Sequence, residues 1–276
     1  MDVVWMWAGE THKYKEQLDK YNLYACKNSY RDNKEIYYSV KSFIQRFHTH
    51  KGKLYIVTPN QIPPLGEFMD RITIINQDDI IPKQAIPCFN SMLIECYLHM
   101  IPNITETFLY INDDCFITDT ITIDDFLRPD PVLRVEKTRI IPKVQRRIER
   151  LHYKKTIWRK CTEYNAGIYK QLTGEYPYTL AHAPFVMQVS KMNEIHNILE
   201  KQINQMIKRY ATRGSRDIIM VMQIRALQSK EYEFDDHIYY SYNGDTIPPI
   251  EFSKFLTLND KCVKDTSLEK YLKVIT

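Results

Sequence analysis

Thr107-Phe108-Leu109-Tyr110-Ile111 is apolar almost without interruption and then stops at Asn112-Asp113-Asp114. A strand with one wet face alternates apolar and polar residues; an unbroken apolar run of this length is a strand covered on both faces. Three other segments read the same way: residues 2–7 (Asp2-Val3-Val4-Trp5-Met6-Trp7), 53–58 (Lys53-Leu54-Tyr55-Ile56-Val57-Thr58) and 71–76 (Arg71-Ile72-Thr73-Ile74-Ile75-Asn76). The second is closed by Pro59 and the turn Gln61-Ile62-Pro63-Pro64. Between them lie helical patterns. Residues 32–47 place apolar side chains at 36, 40, 43, 44 and 47, with Asp32 able to cap, and residues 89–100 form a second helix. Helices alternating with nearly all-apolar strands predict an α/β fold, a mostly parallel sheet flanked by helices. Further along, 164–174, 190–211 and 215–228 read as helices.

Composition agrees with a globular chain. Of 276 residues, 44% are hydrophobic and 26% charged, and only 7 are Gly, which excludes a collagen-like or low-complexity chain. No stretch reaches the ~20 consecutive apolar residues that span a bilayer. The apolar start, Met1 to Gly9, is short and lacks a basic segment, so it reads as a buried strand rather than a signal peptide. A soluble, cytoplasmic-type protein is expected. The six cysteines form no C-x-x-C pair, which argues against a zinc ribbon or redox motif and for reduced thiols.

Net charge is +4, unevenly spread. Residues 134–160 hold eleven Lys or Arg against Glu136 and Glu149, a net +9 that leaves −5 for the rest of the chain. After Pro129 and Pro131, residues 128–160 read as a basic insertion, its basic stretch either facing an anionic partner or forming a solvated helix face.

Carboxylates at the end of an apolar strand stand at the carboxyl edge of the sheet, where open α/β folds bind ligands. Asp113 and Asp114 there suit a divalent cation bridging phosphates, or a general base; they suit a plain capping turn equally. Neither G-x-G-x-x-G nor a P-loop occurs, and H-E-x-x-H and G-x-S-x-G are absent as well. His182 lies in Leu180-Ala181-His182-Ala183-Pro184. Arg213-Gly214-Ser215-Arg216-Asp217 reads as the start of a helix, capped by Ser215 or Gly214, with Arg213 at its positive end where anions are favoured. A structural histidine and a surface turn arginine are the plainer readings of these two.

Taken together, these segments resemble the Stealth family of hexose-1-phosphate transferases, which includes the lysosomal-enzyme GlcNAc-1-phosphotransferase and bacterial capsule polymerases. Four blocks occur in order. The first is Asp2-Val3-Val4-Trp5-Met6-Trp7. The second runs from Arg31-Asp32-Asn33-Lys34-Glu35-Ile36 through Ile56-Val57-Thr58-Pro59-Asn60-Gln61 and Phe89-Asn90-Ser91 to Phe108-Leu109-Tyr110-Ile111-Asn112-Asp113-Asp114. The third comprises Asn165, His182-Ala183-Pro184 and Arg213-Gly214-Ser215-Arg216-Asp217, and the fourth is Phe255-Leu256-Thr257-Leu258-Asn259-Asp260. Met6, Ala8, Lys41 and Arg216 depart from the family pattern, which bears on donor selectivity.

The resemblance implies a Rossmann-like, nucleotide-sugar-binding sheet in a single catalytic domain over 1–276, with 128–160 inserted. It implies transfer of a hexose-1-phosphate from a nucleotide sugar (UDP-GlcNAc-like) to a glycan or glycoconjugate hydroxyl, forming a phosphodiester and releasing a nucleoside monophosphate. Asp114, His182 and Arg213 would be catalytic, and Asp113 and Asp114 would hold Mg²⁺ or Mn²⁺. Asp2, Arg31, Asn112 and Asn165 would contact the donor. Nucleic acid is not an expected partner. Two other readings stand beside this one: an ordinary glycosyltransferase that releases a nucleoside diphosphate, and a non-catalytic glycan- or polyanion-binding protein using the basic stretch.

Overall fold

The computed structural model describes residues 1–9, 11–21, 34–127, 133–135, 137–138, 156–177, 179–180, 183–207, 213–227, 232–234, 239–242, 254–258 and 268–276. The described strands are β1 (Asp2–Met6), β2 (Leu54–Thr58), β3 (Ile72–Asn76), β4 (Thr107–Asn112), β5 (Cys115–Ile117), β6 (Leu133–Val135), β7 (Lys137–Thr138), β8 (Thr179–Leu180), β9 (Phe185–Gln188), β10 (Tyr232–Phe234), β11 (Tyr239–Tyr242) and β12 (Phe255–Leu258). The α-helices are α1 (His12–Lys20), α2 (Glu35–Arg46), α3 (Gln77–Ile80), α4 (Ser91–Cys96), α5 (Ile157–Thr173), α6 (Val189–Ile198), α7 (Glu200–Ile207), α8 (Met220–Leu227) and α9 (Leu268–Ile275).

The four apolar runs form the sheet. Its order is β3-β2-β1-β4-β9. β1 lies parallel to both β2 and β4, with Trp5 opposite Ile56 on one side and Ile111 on the other. β3 is parallel to β2, and β9 closes the far edge antiparallel to β4. The architecture is the expected Rossmann-like α/β sheet with one antiparallel edge strand.

Alternate residues of each strand serve two different cores, as the pleat requires. Val3, Trp5, Ile56, Leu109 and Ile111 pack with Ile36, Val40 and Phe43 of α2 and with Ile117 of β5. Trp5 meets Phe43 edge-on at 5.4 Å and donates its indole N–H to Ser39 Oγ at 3.0 Å. On the other face Val4, Tyr55, Val57, Phe108 and Tyr110 pack with α4 to α8 through Met92, Ile168, Ile195, Ile203 and Ile224. Two apolar faces explain why these strands do not alternate. α1 adds a small cluster of its own, with Tyr14 and Leu18 against Phe89.

Several boundaries differ from expectation. The helix over 89–100 stops after Cys96 and continues as a single 3₁₀ turn, Leu98–Met100. At the start of α2 the cap position is Lys34 (φ 64°) with no side-chain cap, and Asp32 lies outside the described residues. The helix expected over 190–211 divides at Leu199 into α6 and α7, and its last residues, 208–211, lie outside the described residues. α5 begins at Ile157, seven residues before the helix expected over 164–174, so the end of the basic stretch is its first turn. The rest of the insertion over 128–160 lies outside the described residues, apart from the backbone of β6 and β7. No helix among the described residues is long and apolar enough to cross a membrane.

Candidate functional site

β1 to β4 all end at one edge of the sheet, and the polar residues of that edge are fixed by short bonds. After β1 the chain reaches Gly9, where the Trp7 ring lies so close that a Cβ would stand 2.3 Å from Cζ2. Gln61, after β2, clamps this turn: it accepts from the Gly9 N–H at 2.7 Å and donates to the Gly9 carbonyl at 3.1 Å. After β3, Gln77 donates to the Cys88 carbonyl at 2.6 Å and so draws the start of α4 to the same edge.

At the end of β4, Asn112 leads into the half-buried turn Asp113-Asp114, which reverses into β5. The turn is pinned from outside by Leu258, whose N–H donates to the Asp114 carbonyl at 3.2 Å, and β12 continues antiparallel along β5. The Tyr110 hydroxyl donates to Asn112 Oδ1 at 3.1 Å. Burial holds that hydroxyl far above the ordinary phenol range, reinforced by Glu95 and Asp113, opposed by Arg213 and raised again by Asp114. Asp113, Asp114 and Arg213 thus all lie within electrostatic reach of one buried oxygen.

Arg213 reaches this place by a different route from the expected one. The helix expected over 215–228 starts only at Met220, so neither Ser215 nor Gly214 caps it; residues 213–219 are a turn and irregular chain. Arg213 donates through Nε and Nη2 to Ser91 Oγ, at 3.0 and 2.8 Å, at the first position of α4, and the residue stays exposed. Asn90, the cap of α4, accepts from Met92 N–H at 3.1 Å and donates to Asp217 Oδ2 at 2.8 Å. Gly214 N–H donates to the same oxygen. Cys161 donates its thiol to the Asp217 carbonyl at 3.1 Å; burial, together with the Asp217 charge, pushes that thiol up to about 12, so it is a protonated structural donor.

The other expected residues fall in three groups. Asn112, Asp113 and Asp114 follow one another at the end of β4, and Arg213 lies within electrostatic reach of Tyr110 in the same strand. Asp2 does not join them: it stands at the amino end of β1, the opposite edge of the sheet, and its carboxylate accepts from Lys53 N–H at 2.8 Å and Thr105 N–H at 3.0 Å. Asn165 is wholly buried, and both ends of its amide are engaged by protein. It donates to the carbonyls of Cys161 (2.9 Å) and Asp217 (2.7 Å) and accepts from Ile219 N–H (2.8 Å) and Gln223 Nε2 (2.9 Å). That is the work of a core bracket. Arg31 and His182 lie outside the described residues. Sequence reasoning assigned no role to Tyr110, Ser91 or Asp217. Ser91 and Asp217 do stand in the matched blocks, but a lone serine or a turn aspartate carries no sign of what it touches.

The acidic turn fits a hard cation in one mode. Among the described residues no three His, Cys, Asp or Glu side chains gather as a cage. Mg²⁺, however, is commonly held by one or two carboxylates with waters and substrate phosphates, and Asp113 with Asp114 offers that donor set.

Residues 29–135 match conserved region 2 of the Stealth proteins. The chain is 36% identical over 134 residues to a capsular polysaccharide phosphotransferase of Actinobacillus suis, covering 47% of this chain and 36% of that protein. It is 35% identical over 140 residues to the capsular polysaccharide phosphotransferase fcs1 of Haemophilus influenzae, covering 47% and 38%. The matches span well under half the length of these relatives. In three dimensions the chain is similar to the galactosyltransferase LgtC solved with donor and acceptor sugar analogs (TM-score 0.47, 12% identity, 99% of this chain and 95% of that one). It is also similar to mouse xyloside xylosyltransferase 1 (TM-score 0.46, 12% identity, 93% and 97%).

Proposed function

We propose that this chain, whose residues 29–135 match conserved region 2 of the Stealth proteins, is a sugar-phosphate transferase. It moves a hexose-1-phosphate from a nucleotide sugar to a glycan hydroxyl. The observation that carries the reading is that Asp113, Asp114 and Arg213 all act electrostatically on the buried Tyr110 hydroxyl, which donates to Asn112 at the carboxyl edge of the sheet. An anionic turn faced by an exposed guanidinium is what a pyrophosphate with its counter-cation needs.

In the proposed reaction the acceptor oxygen attacks the phosphorus that bears the sugar. The bond from that phosphorus to the nucleotide breaks, the nucleoside monophosphate leaves, and a phosphodiester remains. Positioning and charge neutralisation carry most of such a transfer. Arg213 grips phosphate oxygens, held at its base by Ser91. Asn112, its carbonyl oxygen engaged by Tyr110, presents its amide nitrogen to the donor. Asp113 and Asp114 would hold Mg²⁺ or Mn²⁺, which when bound would neutralise charge on the pyrophosphate. Asp114 or His182 takes the acceptor proton. The whole chain acts as one catalytic unit in this reading.

The test is product analysis with a panel of nucleotide sugars, candidate glycan acceptors and Mg²⁺ or Mn²⁺. Acceptor-dependent release of a nucleoside monophosphate is expected. Release of a diphosphate would replace this reading with ordinary glycosyl transfer. Salt-dependent glycan binding without turnover would replace it with a binding protein.

A further inference from the structure

We infer that Asp217 is a positioning residue that acts on phosphate binding through Arg213. The inference rests on the reading of Arg213 as the phosphate clamp. Two contacts place the guanidinium, and Asp217 touches the neighbour of each. Arg213 is carried by the main chain it shares with Gly214, whose N–H donates to Asp217 Oδ2. Its side chain is carried by Ser91, whose preceding residue, Asn90, donates to that same oxygen at 2.8 Å. One carboxylate oxygen therefore ties together the two halves of the Arg213–Ser91 contact.

Asp217 is itself immobilised. It is 1% exposed, and its carbonyl accepts from Asn165 Nδ2 at 2.7 Å and Cys161 Sγ at 3.1 Å, both on α5. Asn90 has no freedom to turn its amide either, since its Oδ1 caps α4 through Met92 N–H. A buried carboxylate is costly to hold, and an apolar residue could fill the same volume. What the carboxylate provides here is one acceptor serving two donors from separate segments. A loop arginine without such a tie would sample many rotamers and lose affinity to the entropy of ordering.

The experiment measures UDP binding by calorimetry in Mg²⁺, with a thermal melt of every variant. The variants are Arg213→Ala, Asp217→Asn, Asn90→Ser and the double mutants that combine Arg213→Ala with each of the other two. Asn90→Ser keeps a good helix cap while removing the amide donor, so it carries the test if Asp217→Asn does not fold. Asp217→Asn and Asn90→Ser should each weaken UDP about tenfold, the scale of one lost charge-assisted bond. Neither change should weaken it further once Arg213 is Ala. If Asp217→Asn or Asn90→Ser costs as much without Arg213 as with it, or costs nothing, the positioning role is wrong while the clamp stands. If Arg213→Ala leaves UDP affinity intact, or the unmodified protein does not bind UDP, the clamp reading fails and the positioning role falls with it.

Discussion

Asp114 was legible as a candidate because an acidic pair after an apolar strand lands at the one sheet edge where ligands bind. Its fixing by Leu258, 144 positions further along, was not, since nothing local in the sequence records a cross-strand partner. The half-buried turn is pinned at its backbone by Leu258, and Asn keeps the shape of Asp, so the substitution removes the charge while preserving that pin. Asp114→Asn should lower the initial rate of acceptor-dependent monophosphate release by about 10²- to 10⁴-fold, the range of a lost acid–base or charge-stabilising group. Its melting temperature should stay within a few degrees of the original; unchanged turnover would remove Asp114 from the reaction. Gly9 makes the opposite case. Its Cβ position is filled by the Trp7 ring, at 2.3 and 2.6 Å, and Trp7 is buried in the core beneath α2. Gly9→Ala must push that ring, and overpacking of this kind costs about 1–3 kcal/mol. A urea midpoint unmoved by Gly9→Ala would show that the ring moves freely.

At the scale of elements, α5 explains both a success and a failure of sequence reading. Its body is expected over 164–174. Its first turn was hidden in the basic stretch, because charge does not reveal whether a residue is helical. Asn165 shows the same limit more sharply. A polar residue inside a matched block invites a ligand, yet burial depends on the partner helix, and α8 with the 213–219 segment covers it completely. The expected helix over 215–228 fails for a related reason: Asn165 takes the Asp217 carbonyl and the Ile219 N–H, backbone groups that the first turns of that helix would have used. Asn165→Ala would leave the Ile219 N–H and the Asp217 carbonyl buried without this partner. At about 1–3 kcal/mol for each stranded group, a loss of roughly 3 kcal/mol in unfolding free energy is expected in urea titrations. Because the same segment carries Arg213, UDP affinity should fall in the surviving folded protein. A loss below 1 kcal/mol would mean that water or a shifted Gln223 replaces the amide.

Across the whole molecule, the sheet was readable because every central strand is covered on both faces, a fact that shows directly as missing alternation. Strand order was not, and neither was the antiparallel direction of β9 nor the pairing of β12 with β5, because pairing over such distances has no local signature. The same double coverage has a consequence for acid stability. Each face of the sheet buries neutral imidazoles. His50 stacks edge-on against Phe43 at 5.0 Å beside α2, and burial lowers its affinity for a proton. On the other face His99 and His196 lie 4.7 Å apart between the Leu98–Met100 turn and α6; His196 Nε2 donates to the Cys96 carbonyl at 2.6 Å. Burial, and then the neighbouring His196, depress His99 to about 4, and burial lowers His196 as well. A group whose proton affinity is depressed in the folded state contributes its full stability above its unfolded value near 6.5, and loses it as the pH falls toward the folded value. The unfolding free energy should therefore drop between pH 6.5 and 4, by up to ~3 kcal/mol from His99 alone. Replacing His99 with Phe keeps a ring against Tyr97 and His196 and removes the titration. The urea midpoint of His99→Phe should change less than that of the original protein between pH 7 and pH 4.5. Equal slopes for the two would mean that His99 takes up its proton without disturbing the packing between the Leu98–Met100 turn and α6, and that acid acts elsewhere in the fold.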